Sequence, residues 1–437
     1  MSHQHQTAAD LDAEFSDVPA SGEPQDFRPS DRARPIPRIS IQAFCDNVGV
    51  ANAVQYAAED RRLSKAHVSV HMGGIAAAIA HYADSPTPNL IILDSTLSPV
   101  ELLADLDRLA ESCDPGTKVI VIGRHNDVFL YRELLKRGVG EYLVSPVEPL
   151  GVMESVSNLY NNPDTDPVGH VFAFIGAKGG VGSSTICHNV GWTVSELLKT
   201  DVTIADLDLA FGTTGLDFNQ DPVQGIAEAL AAPERLDDQL LDRLLTKCSE
   251  HLSIFAAPVV LDRDYEISPD ACDLVLDVAR QNVPFVAVDL PHGWSPWSKR
   301  VLLQADEVII TAAPDLANLR NAKNIVDLLR TVRKNDSRPH LILNMANLPK
   351  RQEITVKEFE QALDVKVLAV IDYDAEIFSQ ASNNGQMVEE LSAKAKAVEK
   401  FHDIALKVTG RKEVKSEKGI SAFAAIAPIL DKLKLKR

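Results

Sequence analysis

The sequence predicts two successive α/β units, each a parallel sheet wound with helices. Three observations carry that prediction. Short apolar, β-branched runs alternate with amphipathic helical stretches along most of the chain. A polar stretch bearing proline and glycine, NNPDTDPVG (161–169), divides them into two series. A glycine-rich loop, FIGAKGGVGSST (174–185), opens a helix directly after the first strand of the second series.

The length of 437 residues suits two or three domains rather than one core. Hydrophobic residues at 45% and charged residues at 24% are ordinary globular composition. Residues 1–37 carry seven acids among Ser, Pro and Gln and read as a disordered tail. Its start, MSHQHQTAAD, is too polar for a signal peptide, and no apolar run is long enough to span a membrane, so a cytoplasmic protein is expected. His3 and His5 have no further ligands nearby and read as solvated tail. Five scattered cysteines read as reduced, mostly buried thiols. A formal charge of −18 excludes bulk, non-specific nucleic-acid binding over the whole surface.

The first series covers 38–160. Its strands are expected at 38–44, 68–72, 90–94, 118–123 and 141–145, with helices such as 100–112 and 127–138 between them. The order resembles a response-regulator receiver domain, and LIILD (90–94) ends on Asp94, where receivers keep their phosphoacceptor. The partners that resemblance requires are missing. FCDN offers Asp46 alone in place of an acidic pair, Gly123 stands for Ser or Thr, and Ser145 for the lysine before Pro146. A phosphoryl aspartate there has little to stabilise it, so an atypical, pseudo-receiver domain used for dimerisation or docking is expected.

The second series runs from 170 to 410, with strands at 170–177, 202–208, 252–257, 284–290, 307–313, 340–345 and 366–372. After the first of these, glycines 179, 180 and 182 allow backbone N–H groups to converge on phosphate, and the helix N-terminus adds its positive dipole end. Ordinary phosphate loops place a lysine just before the hydroxyl residue. Here that slot holds Ser183, followed by Ser184 at the magnesium position and Thr185. Lys178 stands instead at the loop's start.

The KGG of Lys178, Gly179 and Gly180 resembles the deviant Walker A loop of the MinD/ParA-type ATPases, and with it come three more motifs in family order. VTIADLDLAFG (202–212) resembles the second acidic motif, PFVAVDLP (284–291) resembles Walker B, and HLILNM (340–345) ends the strand that reads adenine. The resemblance implies ATP and Mg2+. It implies Lys178 as the lysine reaching across a homodimer and Asp208 near the attacking water, the two catalytic assignments. It implies Gly179, Gly180, Val181, Gly182, Ser183, Ser184 and Thr185 around the phosphates, Asn344 at the adenine edge, and Ser184, Asp206 and Asp289 around the metal.

A pseudo-receiver joined to such a domain, with IDYDAEIFSQASNNGQMV at 371–388, resembles the CpaE/TadZ family of Flp (tight adherence) pilus assembly proteins over about residues 38–408. That resemblance implies a dimeric, nucleotide-binding factor at the cell pole. Its implied partners are the pilus secretion ATPase and the inner-membrane platform, and no specific nucleic acid.

Exchanging lysine for Ser183 replaces a charge-assisted contact by a neutral one, which weakens ATP binding and slows turnover further. Two classes stay open. One is a slow ATPase switch, favoured by Asp206, Asp208 and Asp289. The other is a scaffold that needs no nucleotide or does not hydrolyse it, favoured by Ser183. A positioning ATPase acting on division or DNA partition is a third reading, opposed by the acidic balance. Residues 411–437 carry eight lysines and arginines against three acids, with Ile420, Phe423, Ile426, Leu430 and Leu433 near one helical face. Peripheral membrane contact and packing on this or another protein are both open for that tail. Trp192 is expected in the core, and Trp294 and Trp297, in PHGWSPW after the Walker B motif, either pack in the core, the favoured reading, or mark a dimer or partner surface.

Overall fold

The computed structural model of the protein describes residues 36, 39–160, 168–258 and 266–411. The expectations for the N-terminal acidic tail and the basic tail beyond Arg411 lie outside the described residues, as does most of the 161–169 stretch. Two sheets account for nearly all the strands expected.

The first sheet contains β1 (Ser40–Cys45), β2 (His67–Met72), β3 (Leu90–Asp94), β4 (Lys118–Gly123) and β5 (Glu141–Val144), in the order β2-β1-β3-β4-β5 with every pair parallel. Both faces are covered by helices, which is why β3 is wholly buried and apolar up to its last residue, Asp94. α1 (Val48–Ala58) and α5 (Pro149–Tyr160) close one face. α2 (Gly74–Tyr82), α3 (Pro99–Ala110) and α4 (Val128–Lys136) close the other. Pro99 at the first turn and a Ser98–Glu101 capping box start α3 where the apolar periodicity begins.

Asp94 sits at the end of β3, as the sequence predicts, but its carboxylate is closed in. It is 2% exposed and accepts the backbone amides of Asp46 (3.0 Å) and Asn47 (2.7 Å). Asp46 in turn accepts the Thr96 amide at 3.1 Å. Burial raises Asp94 above the ordinary carboxylate range despite those amides. The carboxyl group ties two loops together.

The second sheet contains β6 (His170–Gly176), β7 (Val202–Asp206), β8 (Thr246–Lys247), β9 (Leu252–Phe255), β10 (Phe285–Asp289), β11 (Glu307–Ala312), β12 (His340–Ala346) and β13 (Val367–Asp372). Their order is β13-β12-β11-β6-β10-β7-β9-β8, parallel except for the β8–β9 pair. The chain leaves central β6 and winds first to one side, then to the other, so the strand order reverses beside β6. Ligands of open parallel sheets bind at such a reversal, at the strands' C-terminal ends.

At the opposite edge, where the strands begin, the two sheets are joined by buried charge. Asp60 caps the short turn Arg61–Leu63, and both arginines enter the second unit. Asp336 accepts from Arg61 Nε (2.5 Å), Arg62 (2.7 Å) and Arg333 Nε (2.6 Å). Asp306 meets Arg61 at 3.4 Å and Arg280 at 3.3 Å and accepts the β6 amide of Val171 at 2.9 Å. Asn335 donates to Asp60 at 3.1 Å, and Lys65 pairs with Asp277.

Burial alone would raise Asp306, but Arg280 and Arg61, with smaller help from His170 and the Val171 amide, hold its pKa at about 2 against an ordinary 3.8. A depressed carboxylate stabilises the fold above its unfolded pKa and loses that contribution as pH falls through its folded one. Between pH 4 and 2 the fold should therefore lose about 2 kcal/mol through this residue. Urea midpoints measured across that window should show the slope, and Asp306→Asn should flatten it.

Candidate nucleotide site

The glycine loop follows β6 and ends at Gly182, which caps α6 (Ser183–Leu198). Gly180 and Gly182 have φ of +77° and +84°, a region costly for residues with a Cβ. A Cβ on Gly182 would also stand 2.6 Å from Asn344 Nδ2. The loop is braced from two strands and a helix. Ala177 donates its amide to Thr311 at 2.8 Å, Asn321 donates to Ala177 O at 2.9 Å, and Asn344 Nδ2 donates to Val181 O at 2.8 Å. Asn344 thus supports the loop from behind, a role its family resemblance did not suggest. His292, after β10, donates through Nδ1 to Gly176 O at 3.3 Å.

Asp206 and Asp289 are the last residues of β7 and β10, and they are register partners across the sheet. Both are buried beside the N-terminus of α6. Asp206 accepts from the Thr214 hydroxyl (2.7 Å), the Thr214 amide (3.2 Å) and the Asp208 amide (3.1 Å). Asp289 has an oxygen, Oδ1, with no hydrogen-bond partner, and so has the Ser183 hydroxyl. Burial pushes Asp289 up to about 7. Asp206 and Asp208 push the same way, and His188 and a hydrogen bond from Ser184 pull back. Asp206 is raised as well, again chiefly by burial. Two buried carboxylates facing one another with an open oxygen fit a divalent cation, which removes the repulsion that holds protons on them.

Among the described residues no group of three His, Cys, Asp or Glu forms a ready-made metal centre. That agrees with magnesium, which keeps waters and phosphate oxygens and takes few protein ligands. Ser184, Asp206 and Asp289 are the side chains that would hold it. The neutral Ser183 hydroxyl and the loop amides are the groups that would meet the phosphates.

The sequence reading missed His188. Two turns into α6 and fully buried, its imidazole bonds Asp217 at Nδ1 (2.8 Å) and the Thr214 hydroxyl at Nε2 (3.0 Å), with Asp289 3.7 Å away. Burial opposes its charge, but Asp217, Asp289 and Asp206 override burial and raise the imidazole above 6.5. Its charged form would offset the acidic pair, and its two bonds tie the loop helix to the turn α7 (Thr214–Asp217). The signal available was a histidine one turn after Ser184.

The remaining predicted residues lie around this centre. Lys178 is exposed at the loop's rim, close enough to Asp315 to help lower its pKa after that residue's bonds with Asn318. Asp208 is half-buried beyond β7 and accepts the Phe211 amide at 3.1 Å. Thr185 is bonded through its carbonyl to Asn189, whose other amide atom accepts Val388 N at 2.9 Å. The asparagine-rich segment is thereby fastened to the loop helix. Of the three tryptophans, Trp192 and Trp297 pack against the core. Trp294 does not: it is 54% exposed in the loop after β10, which corrects the favoured core reading and leaves the surface alternative for it. Phe211 (76% exposed), in the loop after β7, and Leu316 (72%), the first residue of the helix after β11, stand at the same sheet edge.

No family model matches the chain. Over 257 residues, 56% of this chain and 90% of the relative, it is 24% identical to the septum site-determining protein MinD of Bacillus subtilis (strain 168). The crystal structure of a ParA family ATPase from Chlorobium tepidum TLS aligns with 55% of this chain and 98% of its own length, at 27% identity and a TM-score of 0.51. The crystal structure of a pilus assembly protein CpaE from Caulobacter crescentus CB15 aligns with 29% of this chain and 97% of its own length, at 48% identity and a TM-score of 0.29.

Proposed function

We propose, from the homology of this chain to MinD/ParA-family ATPases, that it binds ATP and magnesium at the β6 loop and dimerises over them. The reading continues to an assembly or localisation factor for Flp-type pilus machinery, with slow hydrolysis or none. One observation carries the nucleotide: a strained glycine loop and two unpartnered buried polar atoms, Ser183 Oγ and Asp289 Oδ1, converge at the sheet's ligand edge. Unpartnered buried polar atoms cost free energy unless a ligand meets them. Exposed Phe211, Trp294 and Leu316 around a polar centre fit a second copy closing over it.

The pilus role rests on organisation: an N-terminal receiver-like sheet with a closed aspartate, the deviant loop, and the SNNGQMV segment fastened to the loop helix. The proposed setting is cytoplasmic and polar, beside the pilus secretion ATPase and its inner-membrane platform. Among the described residues no helix is long and apolar enough to cross a membrane.

Calorimetry with ATP and magnesium should give a micromolar Kd, and light scattering should show a dimer that forms only with ATP. Lys178→Ala should keep most of the affinity and lose the dimer, because its ammonium acts on the other copy's nucleotide. Absence of binding at millimolar ATP would leave a scaffold that needs no nucleotide, the reading Ser183 favours.

A further inference from the structure

The edge of the large sheet opposite the nucleotide site carries a cationic double groove. One cavity, of about 430 Å3, lies where β11 and β12 begin, with Val308, Val326 and Leu329 among its lining and Arg330 and Lys334 beside them. A second, of about 880 Å3, lies where β12 and β13 begin and is lined by Lys357, Lys366 and Lys407. Arg338 and Pro339 line both, so the two run together. The groove's own carboxylates are already engaged: Asp364 with Arg338 (2.9 Å) and Glu360 with Lys366 (3.1 Å). Lys334, Lys357 and Lys407 have no ion pair among the described residues. In a chain of formal charge −18, this is an unusual concentration of positive charge.

We propose that residues 10–26 of this same chain occupy the groove. Three observations select that occupant. The segment ADLDAEFSDVPASGEPQ and the Asp26 after it hold six carboxylates with no lysine or arginine. Leu11, Phe15 and Val18 recur at four- and three-residue spacing, which gives a segment docked as a helix one apolar stripe for Val326 and Leu329. The described chain also begins beside the groove. Ile36 is buried and donates its amide to Arg62 O at 3.0 Å, and the Arg62 guanidinium bonds Asp336, which lines the first cavity. The nine residues from 27 to 35 reach about 30 Å when extended, enough to enter either cavity. The other end of the chain, 412–437, is rich in lysine and is repelled by the same groove.

Carbodiimide coupling, which joins a carboxylate to a lysine amine it touches, tests this on the full chain. An equal mixture of 14N and 15N protein is treated and its cross-linked peptides are sequenced. Links should join residues 10–26 to Lys334, Lys357, Lys366 or Lys407 within one copy, and should fall several-fold in about 0.5 M NaCl. Mixed-isotope links would give the groove to a second copy and overturn the proposal, as would links elsewhere or none. A labelled peptide of residues 8–28 gives an independent reading. It should bind a full-length variant carrying Asp10→Asn, Asp12→Asn, Glu14→Gln and Asp17→Asn about ten-fold more tightly than the native chain, whose groove is filled in cis. Equal binding to both, or binding to neither, would overturn the assignment.

Discussion

Ser183→Lys should tighten ATP binding by about ten-fold or more and speed hydrolysis by a larger factor. The Ser183 hydroxyl is buried without a partner at the first turn of α6, where the proposed nucleotide would place its phosphates. A lysine there adds a charge-assisted contact of about 1.5–3 kcal/mol where a neutral one gives roughly 0.5–1.5, and about 1.4 kcal/mol is ten-fold in Kd. The gain in the transition state is larger, because charge builds on the bridging and terminal oxygens as the bond breaks. The free protein should respond in the opposite direction. An ammonium in this half-buried pocket, without phosphate to meet it, should lower the melting temperature, and saturating ATP should restore it. Calorimetry and thermal melts with and without ATP read both signs. An unchanged Kd together with unchanged melting would show that position 183 does not face phosphate.

Asp336→Ala should be the most destabilising single change at the junction of the two sheets, at about 3–5 kcal/mol. Three arginines, Arg61, Arg62 and Arg333, donate to this one carboxylate, and Arg62 and Arg333 are nearly inaccessible. Removing it leaves several buried cations short of an acceptor, which costs more than the pairs contribute when intact. Asp327→Ala is the matching control: its pairs with Lys323 and Arg330 are half-exposed, and their loss should cost under about 1 kcal/mol. Calorimetric melting should show the native chain unfolding in one transition and Asp336→Ala in two, the N-terminal sheet separating first. One unshifted transition in the variant would refute the coupling.

Strands were legible wherever both faces of the sheet are covered, because a strand such as β3 or β10 is then an apolar run up to its closing aspartate. β8, at two residues, is too short to leave a pattern. The site's carboxylates were legible from motif order, since Asp206 and Asp289 end their strands as a ligand edge requires. Contacts made across long sequence distances left no local trace. The amide of Asn344 reaches back 163 residues to Val181, and the Arg61–Asp336 pair spans 275. The DRR of residues 60–62 looks like solvated surface in sequence, and only the fold shows that it is buried against a second unit. Trp294 ran the other way: a large aromatic favours the core, and its loop leaves it in solvent, the less favoured of its two readings.

The charge junction fixes the N-terminal sheet at the edge where the strands of the large sheet begin, while the phosphate loop lies where they end. Two copies meeting face to face over their loops would carry their N-terminal sheets outward, one at each extremity. The distance between those two heads would then be set by the body of the protein, independent of any motion at the nucleotide. What ATP would govern is the number of heads offered at once. A surface with repeated docking points would hold the two-headed particle far longer than the single one, through effective concentration and without any new contact. In that arrangement the nucleotide acts as a selector of valence.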